Sequence, residues 1–159
     1  MNIEFTYLPG DGIGPEVGAA AIAVLEATAK RFGHSLAIEE HLIGGAAIDA
    51  LGTPLPDATF ESAKRTGAML LGAVGGPKWD HLKGPDRPEL GSLLPLRKDL
   101  NLYTNIRPCK PFEALLDKAP LKRERLEGTD FIVMRELTGG VYFGKKGRDN
   151  LGAYDECRY

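Results

Sequence analysis

The sequence predicts an α/β fold: a partial parallel sheet with helices over residues 1–100, then the start of a second, α+β unit over residues 101–159. Strand-like and helix-like segments alternate up to about residue 100, which is the pattern of a doubly wound sheet. The first strand runs straight into a glycine-rich loop that opens a helix. From residue 101 on, strand patterns follow one another with little helix between them.

Ile3 to Leu8 alternates apolar and polar residues and breaks at Pro9-Gly10-Asp11-Gly12-Ile13-Gly14, a strand entering a tight loop. Pro15 suits the first helical position, and Val17, Ala20, Ala21, Val24, Leu25 and Thr28 recur at helical spacing until Gly33. Leu36, Ile38, Glu40 and Leu42 form a half-polar second strand, and Gly44 to Leu51 is a short helix stopped by Gly52. Asp57 follows a proline-rich loop as the expected N-cap of a helix to Thr66. Ala68 to Val74 is a continuous apolar run, which suits an interior parallel strand buried on both faces. The loop from Gly75 to Gly91, about 17 residues, is long enough to be functional. Leu93, Leu94, Leu96 and Leu100 then mark an amphipathic helix, and 102–107, 129–135 and 141–144 read as strands, with Gly139-Gly140 between the last two.

Composition narrows the function classes. With 20 Lys+Arg against 22 Asp+Glu the net charge is −2, so no broad field draws nucleic acid or anionic lipid. No apolar run approaches the ~18 residues of a membrane span. Cys109 and Cys157 lack ligand spacing, which leaves reduced thiols in a cytoplasmic protein as the expectation.

Gly10-x-Gly12-x-Gly14 lies between a strand and a helix, where backbone N–H groups attract anions, but Pro15 stands where the dinucleotide fingerprint wants its last glycine. The glycines serve either a sharp turn or a phosphate. Arg97, Arg107 and Arg135 each border an expected element, and converging guanidinium forks suit a dicarboxylate or a phosphate; taken singly, each is an ordinary surface arginine. Tyr142 is a proton donor or a buried aromatic. His34, His41 and His81 lack metal spacing, so no metal ligand is assigned, and the run from Lys118 to Glu127 reads as a solvated helix face.

Six motifs carry a resemblance: 8–17 (LPGDGIGPEV), 44–50 (GGAAIDA), 75–80 (GGPKWD), 96–98 (LRK), 105–108 (NIRP) and 135–144 (RELTGGVYFG). In that order they resemble the 3-isopropylmalate dehydrogenases of the β-decarboxylating dehydrogenase family, amino-terminal portion only, and the resemblance implies an isocitrate/isopropylmalate dehydrogenase-like α/β fold. The resemblance implies that Arg97, Arg107 and Arg135 bind malate carboxylates, and that Glu89, Leu93 and Leu94 face the isopropyl group of 3-isopropylmalate. It implies an NAD site bordered by Ile13, Gly76, Pro77, Lys78, Trp79, Asp80 and Glu89, with Tyr142 as general acid. A small apolar pocket is what a branched alkyl group needs, whereas a polar substituent would leave groups unpaired there. The resemblance further implies Mg2+ or Mn2+, a homodimer and a place in leucine biosynthesis. It puts the family's lysine base and aspartate metal ligands beyond the position of Tyr159. The chain is therefore expected to be truncated and inactive alone. The alternatives are a non-catalytic fragment that pairs with the remaining half, or a sister dehydrogenase acting on tartrate or isocitrate.

Overall fold

A computed structural model describes residues 1–139 and 143–157 of the chain. Two units are distinguished, Met1–Leu100 and Asn101–Tyr159.

The first unit is built on a parallel sheet ordered β2-β1-β3, with β1 at Asn2–Gly10, β2 at Ser35–Glu40 and β3 at Met69–Ala73. The chain leaves β1 toward β2 through α1 (Gly14–Arg31), then returns past β1 to β3 through α2 (Gly44–Leu51) and α3 (Asp57–Thr66). Reversal of direction with right-handed crossovers puts α1 and α3 on opposite faces of the sheet. The side chains of β1 follow suit. A Cβ on Gly18 of α1 would fall 2.2 Å from the Tyr7 hydroxyl oxygen, so Tyr7 packs against α1 at a glycine. The adjacent Thr6 faces the other way, its hydroxyl 2.8 Å from Ser62 Oγ and 3.0 Å from Thr66 Oγ1 on α3. On that second face Leu8, Ile43, Ala63 and Leu96 form the core, with Leu55, Phe60, Met69 and Val74 packed around it.

β1 is the central strand, its residues Phe5 to Leu8 all buried, whereas β3 pairs on one side only among the described residues. The expectation of an interior Ala68–Val74 strand is thus corrected for the described sheet. Its apolar character comes from the layers above and below it, Met69 and Val74 packing on the core. Asp57 opens α3 instead of capping it: Pro56 holds the N-cap position and no side chain caps it. The acidic group still lies in the first turn, where it faces the positive end of the helix dipole.

The segment after β3 is also more ordered than expected. It forms 3₁₀ turns at Pro77–Trp79 and Gly84–Asp86, and α4 begins at Pro88, five residues before Leu93, and runs to Asp99. Pro88 fits the first turn because a helix needs no hydrogen bond from that N–H. Glu89 therefore lies on a helix and not in a loop.

In the second unit β4 (Thr104–Cys109) pairs antiparallel with β5 (Phe131–Glu136), Thr104 opposite Glu136 and Cys109 opposite Phe131. Between them come a 3₁₀ segment at Glu113–Lys118 and a single helical turn, α5, at Arg123–Leu126. The solvated helix face expected from Lys118 to Glu127 is thus one turn only. β6 (Lys146–Asp149) and β7 (Gly152–Asp155) form a hairpin. Of the expected strand at 141–144, residues 141 and 142 lie outside the described residues, while Phe143 and Gly144 are in a turn and a bend.

Candidate functional site

In an open α/β sheet the crevice lies beyond the carboxyl ends of the strands where the winding reverses. Here that point is between β1 and β3, at the pair Gly10 and Ala73. The strands approach so closely that a Cβ on Gly10 would fall 1.8 Å from the Ala73 carbonyl oxygen, and Gly10 has a φ of 75°. Only glycine meets both conditions.

Asp11 leaves this point and turns inward. It is 5% exposed; its Oδ2 accepts the Gly45 N–H of α2 at 2.6 Å, and its Oδ1 accepts the Gly75 N–H after β3 at 2.7 Å. The N-cap of α2, Ile43, has no side chain to offer, so a carboxylate far away in the sequence does that work. The glycine-rich loop is thus arranged around an internal anion. Ile13, two residues on, is exposed on the same loop.

Gly75 carries the next contact. A Cβ there would lie 2.0 Å from Glu89 Oε1, so the glycine backbone abuts the carboxylate at the start of α4. The Pro77–Trp79 turn is fastened to α2: Asp49 accepts Lys78 Nζ at 2.5 Å and Trp79 Nε1 at 3.3 Å. The Lys78 hydrogen bond is the main reason that the Asp49 carboxyl is held below the ordinary carboxylate range. Arg87 stands between Asp80, 3.5 Å from its Nη2, and Glu89, 3.8 Å from its Nε. Its Nε is buried without a hydrogen-bond partner.

On α4, Glu89, Leu93 and Arg97 are four residues apart and share one stripe; Pro88, Ser92 and Leu96 form the neighbouring, buried stripe. A carboxylate, an alkyl group and a guanidinium are thereby aligned on one helix, with Leu94 beside them, and Leu93, Leu94 and Arg97 are half-buried.

In the second unit, Asn105 pairs with Arg135 across β4 and β5, and Arg107 is two residues along from Asn105. All three therefore share one face of the ribbon. Arg107 Nε donates to Asn105 Oδ1 at 2.9 Å, which fixes the fork. At the end of β5, Glu136 accepts three bonds, from the Thr138 N–H at 2.5 Å, its hydroxyl at 2.6 Å and the Gly139 N–H at 2.8 Å. Those bonds, the Thr138 hydroxyl foremost, lower its pKa from the usual value. Tyr142 lies outside the described residues.

Residues expected from sequence at the NAD site are therefore found on consecutive pieces of the first unit: Ile13 after β1, Gly76 to Asp80 after β3, and Glu89 on α4. Asp11, Asp49 and Arg87 were not singled out by sequence. An acidic residue inside a loop of anion-binding type was the one available signal for Asp11. Among the described residues no three His, Cys, Asp or Glu side chains gather to hold a metal.

Comparison with known proteins extends this picture. Residues 4–157 match the isocitrate/isopropylmalate dehydrogenase family. The 3-isopropylmalate dehydrogenase of Moorella thermoacetica is 53% identical over 98% of this chain and 45% of its own length. That of Heyndrickxia coagulans is 55% identical over 91% of this chain and 39% of its own. The crystal structure of isocitrate dehydrogenase from Methylococcus capsulatus superposes with a TM-score of 0.75 at 30% identity, covering 98% of this chain and 42% of that one. The chain spans less than half the length of these relatives. By its motifs, its sheet and its matched length, this chain belongs to the isocitrate/isopropylmalate dehydrogenase family.

Proposed function

We propose that the chain is the amino-terminal, cofactor- and substrate-binding part of an NAD-dependent 3-isopropylmalate dehydrogenase of leucine biosynthesis. The observation that carries this reading is the α4 stripe of Glu89, Leu93 and Arg97, whose Glu89 abuts Gly75 just after β3. An apolar patch set between a carboxylate and a guanidinium suits a substrate with both a branched alkyl group and a carboxylate. The identity to relatives named 3-isopropylmalate dehydrogenase supports the choice of substrate over isocitrate or tartrate.

In this reading residues 1–100 are the cofactor side and residues 101–159 begin the substrate and dimer domain. Arg97, Arg107 and Arg135 hold the malate carboxylates as charge-assisted forks. Leu93 and Leu94 exclude water from the isopropyl group and reject substituents that need hydrogen bonds. Ile13, Gly76, Pro77, Lys78, Trp79, Asp80 and Glu89 border NAD, which accepts the hydride from C2 of the substrate when bound. Gly76 fits this role because a Cβ there would meet nothing nearer than Trp79 at 3.6 Å, leaving its backbone open to a ligand. Tyr142 supplies the proton that the decarboxylated carbon takes up. Mg2+ or Mn2+ belongs to the same proposal, and among the described residues no three His, Cys, Asp or Glu side chains gather to hold it. A homodimer in the cytoplasm is part of the same proposal, supported by Ile106, Ile132 and Met134, exposed on one face of the β4–β5 ribbon. No described helix is long and apolar enough to cross a membrane.

The test joins this chain to the carboxyl-terminal portion of the Moorella thermoacetica relative and follows NADH formation on 3-isopropylmalate, isocitrate and tartrate with Mg2+. Preference for 3-isopropylmalate is expected, with no turnover by the 159-residue chain alone. Preference for isocitrate or tartrate would establish a sister dehydrogenase instead.

A further inference from the structure

The glycine-rich loop after β1 has a feature that a turn or a phosphate site would not require: a buried carboxylate at its centre. We propose that Asp11 is a positioning residue for the cofactor edge, setting the Gly75–Gly76 backbone and through it the Glu89 carboxylate; this rests on the reading of that edge as the NAD site.

The geometry supplies each link. Asp11 is tied at its backbone to the end of β3 and the start of α1, its N–H donating to Ala73 O at 2.9 Å and its C=O accepting from the Gly14 N–H at 2.8 Å. Gly44 makes room for this carboxylate, since a Cβ there would be 2.7 Å from Asp11 Oδ2. One carboxylate oxygen fastens the start of α2 and the other fastens Gly75. Gly75 in turn touches Glu89, with a φ of 106° that a side chain would strain. Trp79 closes the circuit, its ring packed on Gly45, the residue whose N–H the same carboxylate binds. Two charge-assisted bonds from one buried anion thus fix three loops at the winding reversal. Asparagine has a single acceptor oxygen for two donors and leaves one N–H or its own NH2 unmatched. Glutamate keeps the charge and moves it by one methylene. Asp11 touches neither NAD nor substrate in this account; it acts through Gly75.

The test uses isotopically labelled chain, unsubstituted and as D11N and D11E. It reads the Gly45 and Gly75 amide signals, the Glu89 carboxyl signal, the circular-dichroism melting curve and NADH binding through quenching of Trp79, the one tryptophan. Below the melting transition, both folded variants are expected to show displaced Gly75 and Glu89 signals and an NADH dissociation constant raised on the order of tenfold. A role confined to stability would lower the melting point and leave the folded chain's Glu89 signal and NADH affinity unchanged, and that result overturns the proposal. Should D11N not fold, D11E decides by the same criteria, because it retains the anion. If the unsubstituted chain binds no NADH, binding is measured on the chimera with the Moorella thermoacetica portion, and absence of binding there fails the cofactor reading separately. The Asp11 proposal is then judged on the Glu89 signal alone, displacement supporting it and constancy overturning it.

Discussion

The indole of Trp79 occupies the space that a side chain on Gly45 would need: a Cβ there would fall 2.4 Å from Trp79 Cε2 and Cζ2. Gly45 is the second residue of α2, so the missing methyl lets the Pro77–Trp79 turn dock on that helix. G45A is expected to displace the ring. Alanine gains up to ~1 kcal/mol of helix propensity, but overpacking costs about 1–3 kcal/mol, so the net effect is destabilising. Thermal unfolding and a red shift of tryptophan emission check it; an unshifted spectrum with a raised Tm would contradict it.

The same turn responds to acid. Asp49 is held below its ordinary pKa, chiefly by the Lys78 hydrogen bond. A group whose pKa is depressed by folding contributes stability above its unfolded value, about 3.9 for Asp, and that contribution is lost as pH falls through the lower folded value. Trp79 emission is therefore expected to stay constant from neutral pH down to the usual carboxylate range and to change below it. D49N should remove that step. A step that persists in D49N would assign it to another carboxylate.

Below the sheet, Thr6 is fully buried and bridges Ser62 and Thr66. Ser62 also donates to Glu39 Oε2 at 2.9 Å, and Thr66 Oγ1 to Ala68 O at 3.0 Å, so both keep a partner when the Thr6 hydroxyl is removed. T6V should accordingly cost only about 1 kcal/mol, at the low end for buried hydroxyls, and lower Tm by about 3 °C. A loss of several times that size would mean that the network acts as one unit.

Leu93 lies on the stripe between Glu89 and Arg97. In the chimera with the Moorella thermoacetica portion, L93S is expected to reduce kcat/KM for 3-isopropylmalate more than for malate, which lacks the alkyl group, by about 10-fold. Parallel losses on both substrates would place Leu93 in the fold and not in the alkyl pocket.

Much of the fold was legible because its signals are local. Ile3 to Leu8, the helix from Pro15 and the Gly52 terminus each carry their pattern within a few residues, and the structure has β1, α1 and α2 there. The start of α4 was hidden because Gly84, Pro85, Pro88 and Gly91 read as breakers, although proline is at ease in a first helical turn. The β6–β7 hairpin has no apolar alternation to detect: Lys146–Asp149 and Gly152–Asp155 are mostly exposed, and the Asp149 carboxylate, bonded to the Leu151 and Gly152 N–H groups, makes the turn. At the candidate site the motifs marked the segments after β1, after β3 and along α4, but Asp11 was passed over. Its partners are backbone N–H groups 34 and 64 residues away, which leave no mark on side-chain pattern. Arg87 escaped for a similar reason, since its link to Asp80 depends on the turns between them.

In the proposed function this chain brings the carboxylate-binding guanidinium groups of a 3-isopropylmalate dehydrogenase. Steady-state kinetics of the chimera with Arg135 replaced by alanine test it most directly, since Arg135 shares a ribbon face with Asn105 and Arg107. Loss of a charge-assisted fork costs about 2–5 kcal/mol, so kcat/KM for 3-isopropylmalate is predicted to fall by roughly 30-fold or more with the folded structure retained. An R135A chimera that turns over 3-isopropylmalate as efficiently as the unsubstituted one would contradict the claim.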